Sequence, residues 1–354
     1  MKFLKSPWFY LAVFVVIAAF IALQLLTRVQ PEPTIKDSDT TFIGFNHIGL
    51  VVDDMETMLR FYQKATGFPL LERTTIHNNR TVNRFYGMDS LSVEKAILKG
   101  PNMLIELVRF IGHDSVTEPL LPSGPGMTHT CFQSTEAQSS YRSFLGAGIN
   151  MLSRGNEPID LGGYGVTYAY GYDPEGNMIE MEQLSDLVVK MTVGKTYSQE
   201  HPLWMTQVAI ASPDIERLIT FYEGVLRIPP YRSVTVSSNT KLDDIVGIDS
   251  AALKMAWFGL DGQGKKLELM QYLHPSTPSR ERKQSVTDLG YTYSFEVTDI
   301  EQEYHRLTEL GVQFISQPII IGEFLTALAY DIDGNLFSLR QAVKPNSDYS
   351  LINF

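Results

Sequence analysis

Apolar and polar positions along this chain fall into short alternating runs separated by helix-length segments, and the order of these segments recurs. Residues 43–52 read as a strand and 55–66 as a helix, with Met55, Leu59 and Tyr62 at the spacing of one helical face. Strands follow at 68–75, 91–98 and 103–110, rich in β-branched residues and bounded by Gly, Pro and Asn/Asp turns. The same order returns as strand 127–134, helix 136–146, and strands 149–153, 163–172 and 177–183. The unit is βαβββ, which makes the chain an α+β protein.

The whole pattern then repeats at a spacing of about 160 residues. Phe45-Asn-His-Ile-Gly-Leu-Val-Val-Asp-Asp returns as Met205-Thr-Gln-Val-Ala-Ile-Ala-Ser-Pro-Asp, and Arg60-Phe-Tyr as Thr220-Phe-Tyr. Gly87-Met-Asp-Ser matches Gly247-Ile-Asp-Ser, Ile105-Glu-Leu matches Leu267-Glu-Leu, and Asp173-Pro-Glu-Gly-Asn matches Asp331-Ile-Asp-Gly-Asn. Four modules therefore form two tandem domains, 42–186 and 203–342, joined by a linker at 187–202 and followed by a tail at 343–354.

The first 28 residues break the pattern. Trp8 to Leu26 is apolar except for Gln24, and a helix of that length spans roughly 28 Å, the thickness of bilayer hydrocarbon. This run is longer than the core of a cleaved signal peptide and has no small-residue cleavage site at its end, so it predicts a retained transmembrane anchor. Lys2 and Lys5 precede it, which places the N-terminus in the cytosol and the globular part on the extracytoplasmic, periplasmic side. Secretion after cleavage and a cytoplasmic orientation are the alternatives. Residues 29–41, with Pro31 and Pro33, read as a polar tether.

Composition narrows the partners. With 354 residues, 29 basic against 40 acidic side chains and a formal charge of −11, the chain has material for about two domains, and it has no basic cluster for a nucleic-acid backbone. A small molecule and, through the N-terminal helix, a membrane are the expected partners. The single cysteine, Cys131, excludes an intramolecular disulfide and any Cys-based zinc pattern.

Four βαβββ modules, the opening Asn-His-Ile-Gly-Leu-Val-Val, the helix ending in Phe-Tyr, the Ile-Glu-Leu strand and the Asp-Pro-Glu-Gly-Asn turn resemble the vicinal oxygen chelate superfamily. That superfamily includes glyoxalase I, methylmalonyl-CoA epimerase, extradiol dioxygenases and the bleomycin-resistance proteins. The resemblance implies that two modules curl around one divalent metal, with ligands from the first and last strand of each. Transferred by position, the ligand places fall on His47, Glu106, His129 and Glu180 in the first half and on Gln207, Glu268, Tyr293 and Ser338 in the second. Counting ligands then favours pairing module one with module two, which gives one complete His/Glu/His/Glu site and leaves 203–342 a degenerate domain. Two imidazoles and two carboxylates suit Fe, Ni, Zn, Co or Mn.

The resemblance further implies an enzyme of the glyoxalase or epimerase type, a lyase or isomerase that chelates vicinal oxygens and stabilises an enediolate. Glu180 is the expected proton-transferring base, with Glu106 the next choice. An Fe(II)-dependent ring-cleaving dioxygenase and a membrane-tethered, non-catalytic ligand-binding or resistance protein are the competing readings. Substrate-contact candidates are Glu94, on the third strand of module one, Tyr168 and Tyr170, which share a strand face, Cys131, two residues from His129, and Arg84, in a polar insertion (76–90) able to cover the site.

Overall fold

The Asp-x-x-Gly-Asn turn and the Phe-Tyr helix end are two halves of one device. In the computed structural model, which describes residues 34–35, 40–113, 120–192, 202–260 and 264–354, Asp173 accepts backbone N–H bonds from Glu175 and Asn177, both at 2.9 Å, and closes its own hairpin. Its second oxygen accepts from the Tyr62 hydroxyl at 2.9 Å, so the helix of module one is bonded to the turn of module two. In the second half Asp331 does the same, with Asp333 and Asn335 N–H groups at 2.9 and 2.8 Å and the Tyr222 hydroxyl at 3.2 Å.

Module one comprises β1 (Phe42–Val51), α1 (Met55–Thr66), β2 (Leu70–His77), α2 (Arg80–Tyr86), β3 (Ser92–Lys99) and β4 (Leu104–Phe110). Module two comprises β5 (Gly126–Thr135), α3 (Ser140–Ala147), β6 (Asn150–Met151), β7 (Ile159–Asp160), β8 (Val166–Tyr172) and β9 (Met178–Leu184). The helix α4 (Asp186–Thr192) opens the link to module three, which comprises β10 (Leu203–Ala211), α5 (Ile215–Leu226), β11 (Arg232–Val236), α6 (Thr240–Val246), β12 (Ala252–Gly259) and β13 (Lys266–His274). Module four adds β14 (Gly290–Val297), α7 (Ile300–Glu309), β15 (Gln313–Phe314), β16 (Ile319–Ile321), β17 (Phe324–Tyr330) and β18 (Leu336–Ala342).

Strand pairing corrects the expected association of module one with module two. One sheet runs β11-β12-β13-β10-β5-β9-β8-β6 and the other β15-β17-β18-β14-β1-β4-β3-β2, so module two is joined to three and module one to four. The seams are antiparallel, β10 against β5 and β1 against β14. Modules within a half meet instead through their helices and the tyrosine–aspartate bonds. Chain lengths between modules permit either arrangement, and the expectation failed because it rested on counting only His and Glu as ligands.

The common core lies between the sheets and the long helices. Phe45, Phe132, Met205, Phe258 and Phe295 are fully buried there, each stabilising the fold by about 1.5–3 kcal/mol. Asp54 and Asp214 cap α1 and α5 by accepting from Thr57 and Arg217 N–H groups. The polar insertion 76–90 contains a short helix, α2, capped by Asn79 and ended by Gly87 at φ 67, and module three repeats it in α6 with Asn239 and Gly247 at φ 68. Each short helix packs apolar side chains over the open face of one sheet. Among the described residues no helix is long and apolar enough to cross a membrane, and the run Trp8–Leu26 lies outside them.

Candidate metal centre

The four central strands of the first sheet, β13, β10, β5 and β9, bring Glu268, Gln207, His129 and Glu180 together on the open face. Pairing register fixes this. In β10 and β13, Glu268 stands opposite Ala209, two residues beyond Gln207, and in β5 and β9, Glu180 stands opposite Cys131, two residues beyond His129. All four residues are buried.

The His129 Nε2 atom lies 3.6 Å from Glu180 Oε2 and 3.6 Å from Glu268 Oε2, and it is buried without a hydrogen-bond partner. Its Nδ1 is 3.2 Å from the Thr128 hydroxyl, which itself lies within reach of the Ala209 carbonyl. If that hydroxyl donates to the carbonyl, Nδ1 donates to it and the Nε2 lone pair points at the carboxylates. Gln207 Nε2 donates to both carboxylates, at 2.5 Å to Glu180 and 2.8 Å to Glu268. A half-turn of that amide presents Oε1 instead, so Gln207 can bridge the two carboxylates or add an oxygen donor beside them.

Two buried carboxylates against one imidazole leave negative charge in a low-dielectric face, which costs several kcal/mol unless a cation offsets it. Burial alone would lower the His129 imidazole, but the Glu180 and Glu268 carboxylates facing it raise it to about 9. Burial pushes Glu268 up, against the opposing pull of His129. His129, Glu180 and Glu268 offer ligand atoms that all lie within 4.8 Å of one another, a donor set that fits one divalent ion with zero net charge. These three with Gln207 are the residues that would hold it.

Around them stand Tyr170, 5.0 Å from the His129 ring between centroids, and Tyr168, opposite Glu182. Cys131 is fully buried, its Sγ 3.7 Å from Glu182 Oε2, and burial with Glu180 and Glu182 pushes the thiol up. Glu182 is itself raised to about 7 by burial and by Glu180. Cys131, Tyr168 and Tyr170 therefore share the face of His129.

The other sheet presents His47 and Glu106 at the equivalent places, Glu106 standing opposite Gly49, two residues beyond His47. The two expected ligand pairs are thus split between sheets, and the His47/Glu106/His129/Glu180 set does not form one centre. Nor, among the described residues, does the second sheet offer three clustered ligand groups of its own. Its remaining places are Thr292 and Ser338, since Gly49 is opposite Thr292 and Ser294 is opposite Ser338. Tyr293, expected there, is one residue out of register and points into the core, where its hydroxyl meets the Tyr222 hydroxyl and donates to the Asp331 carboxylate. Glu106 accepts from Lys95 Nζ at 3.2 Å, and the Arg340 guanidinium lies 3.1 Å from His47 Nδ1. Burial would raise Glu106, but Lys95, His47 and Arg340 hold it at about 2, while burial and those cations lower His47 to about 3. Protein cations already balance this carboxylate.

Glu94 lies on the reverse face of β3, paired with Arg73 at 2.6 Å and Arg109 at 3.8 Å, and touches neither site. Arg84 is exposed on α2, over the sheet that lacks the donor set. Gln207 and Glu268 were the residues undervalued in the sequence. The signal was their position in the repeat, and an amide oxygen is a competent ligand.

Two family models described as the Glyoxalase/Bleomycin resistance protein/Dioxygenase superfamily match residues 44–181 and 206–330. Over 92 residues the chain is 36% identical to the uncharacterized protein YurT of Bacillus subtilis (strain 168), covering 25% of this chain and 72% of that protein. Glyoxalase I from Zea mays superposes with a TM-score of 0.55 at 19% identity, over 84% of this chain and 92% of that one. A putative dioxygenase from Bacillus subtilis superposes with a TM-score of 0.55 at 11% identity, over 86% and 87% of the two chains. At such identities these two likenesses are of fold.

Proposed function

Because the chain belongs to the glyoxalase/bleomycin resistance protein/dioxygenase superfamily, we propose that it is a metal-dependent lyase or isomerase whose centre is His129, Glu180, Gln207 and Glu268. The observation that carries this reading is the buried, unpartnered His129 Nε2 aimed between two carboxylates. A divalent ion held there would supply Lewis-acid stabilisation of negative charge developing on the substrate.

Glu180 is the base that takes the proton from the hydroxyl-bearing carbon beside a carbonyl and returns it to the former carbonyl carbon, the hydroxyl proton passing to the neighbouring oxygen while the enediolate stands between the two transfers. Gln207 holds Glu180 in place through its short bond, and Tyr168 and Tyr170 wall the face from water. The substrate is a small molecule with vicinal oxygens. The apolar N-terminal run, as an anchor, would hold this centre on the extracytoplasmic side, which a reporter fused after residue 354 would report.

The test is hydrogen exchange in D2O, followed by NMR on hemithioacetals of methylglyoxal and phenylglyoxal and on α-hydroxyketones, after loading with Ni, Zn, Co, Mn or Fe. Metal-dependent exchange at the carbon beside the carbonyl, lost in Glu180→Gln with metal retained, supports the reading. Exchange undiminished by that substitution overturns it, and oxygen uptake with catechols after Fe(II) loading would move the protein to the dioxygenase class.

A further inference from the structure

The open face of the second sheet encloses a cavity of about 50 Å³ between β1, β4 and α2. A water needs roughly 10–15 Å³ measured this way, so the space matches about three to five non-hydrogen atoms. Its walls are apolar, with Phe85, Val108, Phe110, Leu328 and Leu336 among them, and its floor is polar.

On that floor the His47 Nε2, the Thr292 Oγ1 and the Tyr86 hydroxyl have no hydrogen-bond partner among the described residues, although each side chain lines the cavity. His47 Nδ1 is engaged by Asn46 Oδ1 at 2.9 Å, and Asn46 is oriented by its own donation to Glu296 and to the Tyr349 carbonyl. Nδ1 faces both the Asn46 Oδ1 acceptor and, at 3.1 Å, the Arg340 Nη1 donor, so Nε2 accepts or donates according to the tautomer. Thr292 and Tyr86 can each donate or accept. Gly49 makes the room: a Cβ at that position would stand 2.2 Å from Thr292 Oγ1.

Charge decides what fits. Glu106 is paired with Lys95, and Arg340 lies between Glu296 across the strands and His47, so the cations and carboxylates of this face balance two against two. A further ion, of either sign, would enter without a counter-charge.

We propose that this cavity is a second, metal-independent binding site for a small uncharged molecule bearing a hydroxyl or carbonyl oxygen. It is separate from the His129 centre and independent of the reaction proposed there. The ligand's oxygen is bound by His47, Thr292 and Tyr86, and its carbon atoms face Phe110, Val108 and Leu336.

Saturation-transfer NMR on chelator-treated full-length protein, with propane-1,2-diol and hydroxyacetone as probes, tests this. The expected result is saturable binding that zinc does not alter, that persists in His129→Ala, and that Thr292→Val with Tyr86→Phe weakens about tenfold or more while the thermal midpoint of the variant shows a folded protein. No saturation transfer with either probe, which would mean that water alone fills the cavity, overturns the proposal. So does binding that needs metal, that disappears in His129→Ala, or that is unchanged in the double variant. Failure here leaves the exchange test at the other site untouched, because that test is read on Glu180.

Discussion

The two open faces of this molecule are built from the same register and solve opposite charge problems. Around His129 the repeat places Glu180, Gln207 and Glu268, with Met255 one step out on the neighbouring strand; around His47 it places Glu106, Thr292 and Ser338, with Lys95 where Met255 would be. One face gathers the Glu180, Glu182 and Glu268 carboxylates with Lys266 as the cation acting on the last two, and the other sets a lysine and an arginine beside its own carboxylate. A duplicated fold can thus keep its geometry while one copy exchanges an ion for side chains, and the exchange shows only when neighbours of the ligand positions are read with them.

The largest expected effect divides the faces by metal. His129→Ala should lose the ion, its affinity falling well over about 100-fold since even groups outside the ligand shell can cost 10–100-fold, and turnover should fall to background. His47→Ala should keep one equivalent. Metal analysis of the two variants side by side checks this, and equal loss in both would erase the distinction. Next comes Glu106→Gln, which strands the largely buried Lys95 and should cost about 3 kcal/mol in denaturant unfolding; Lys95→Met added to Glu106→Leu should restore most of it.

Acidity gives a smaller contrast. His129 is raised from its ordinary 6.5 to about 9, so the folded chelator-treated protein holds a proton that the unfolded chain releases. That contribution is complete below pH 6.5 and is lost as pH rises through 9. Thermal midpoints should fall over this window without metal and flatten when metal is added, while His47, lowered to about 3, should add nothing there. Smallest is Tyr62→Phe, which removes the hydroxyl bonded to Asp173 and should cost about 1 kcal/mol by chemical denaturation, with Tyr222→Phe as its counterpart at Asp331.

Much of this was legible in the sequence. The fourfold repeat, the strand and helix order and the ligand places His129 and Glu180 follow from periodicity and from motif alignment, because burial imposes those patterns locally. Partner choice between modules was not legible, since β1 and β5 are both buried on both faces and either would pair with β10 or β14. Counting Gln207 as a donor would have reversed the decision. The registers of Thr292 and Tyr293 differ by one residue, and a step of one turns a strand side chain to the opposite face. The short helices α2 and α6 were signalled by matched Asn and Gly positions eight residues apart in both halves, within a stretch too brief for helical periodicity to show.

The seams between β1 and β14 and between β5 and β10 carry a consequence for how the chain can be divided. Cutting in the linker and separating the halves would bare two strand edges on each piece, with backbone donors and acceptors unpaired along strands of eight to ten residues. Such a fragment has a ready solution: a second copy of itself, each lending a strand to the other's sheet. The 42–186 piece expressed alone should then run as a dimer or aggregate by light scattering, the tandem chain having made one polypeptide of what would otherwise be an assembly of two.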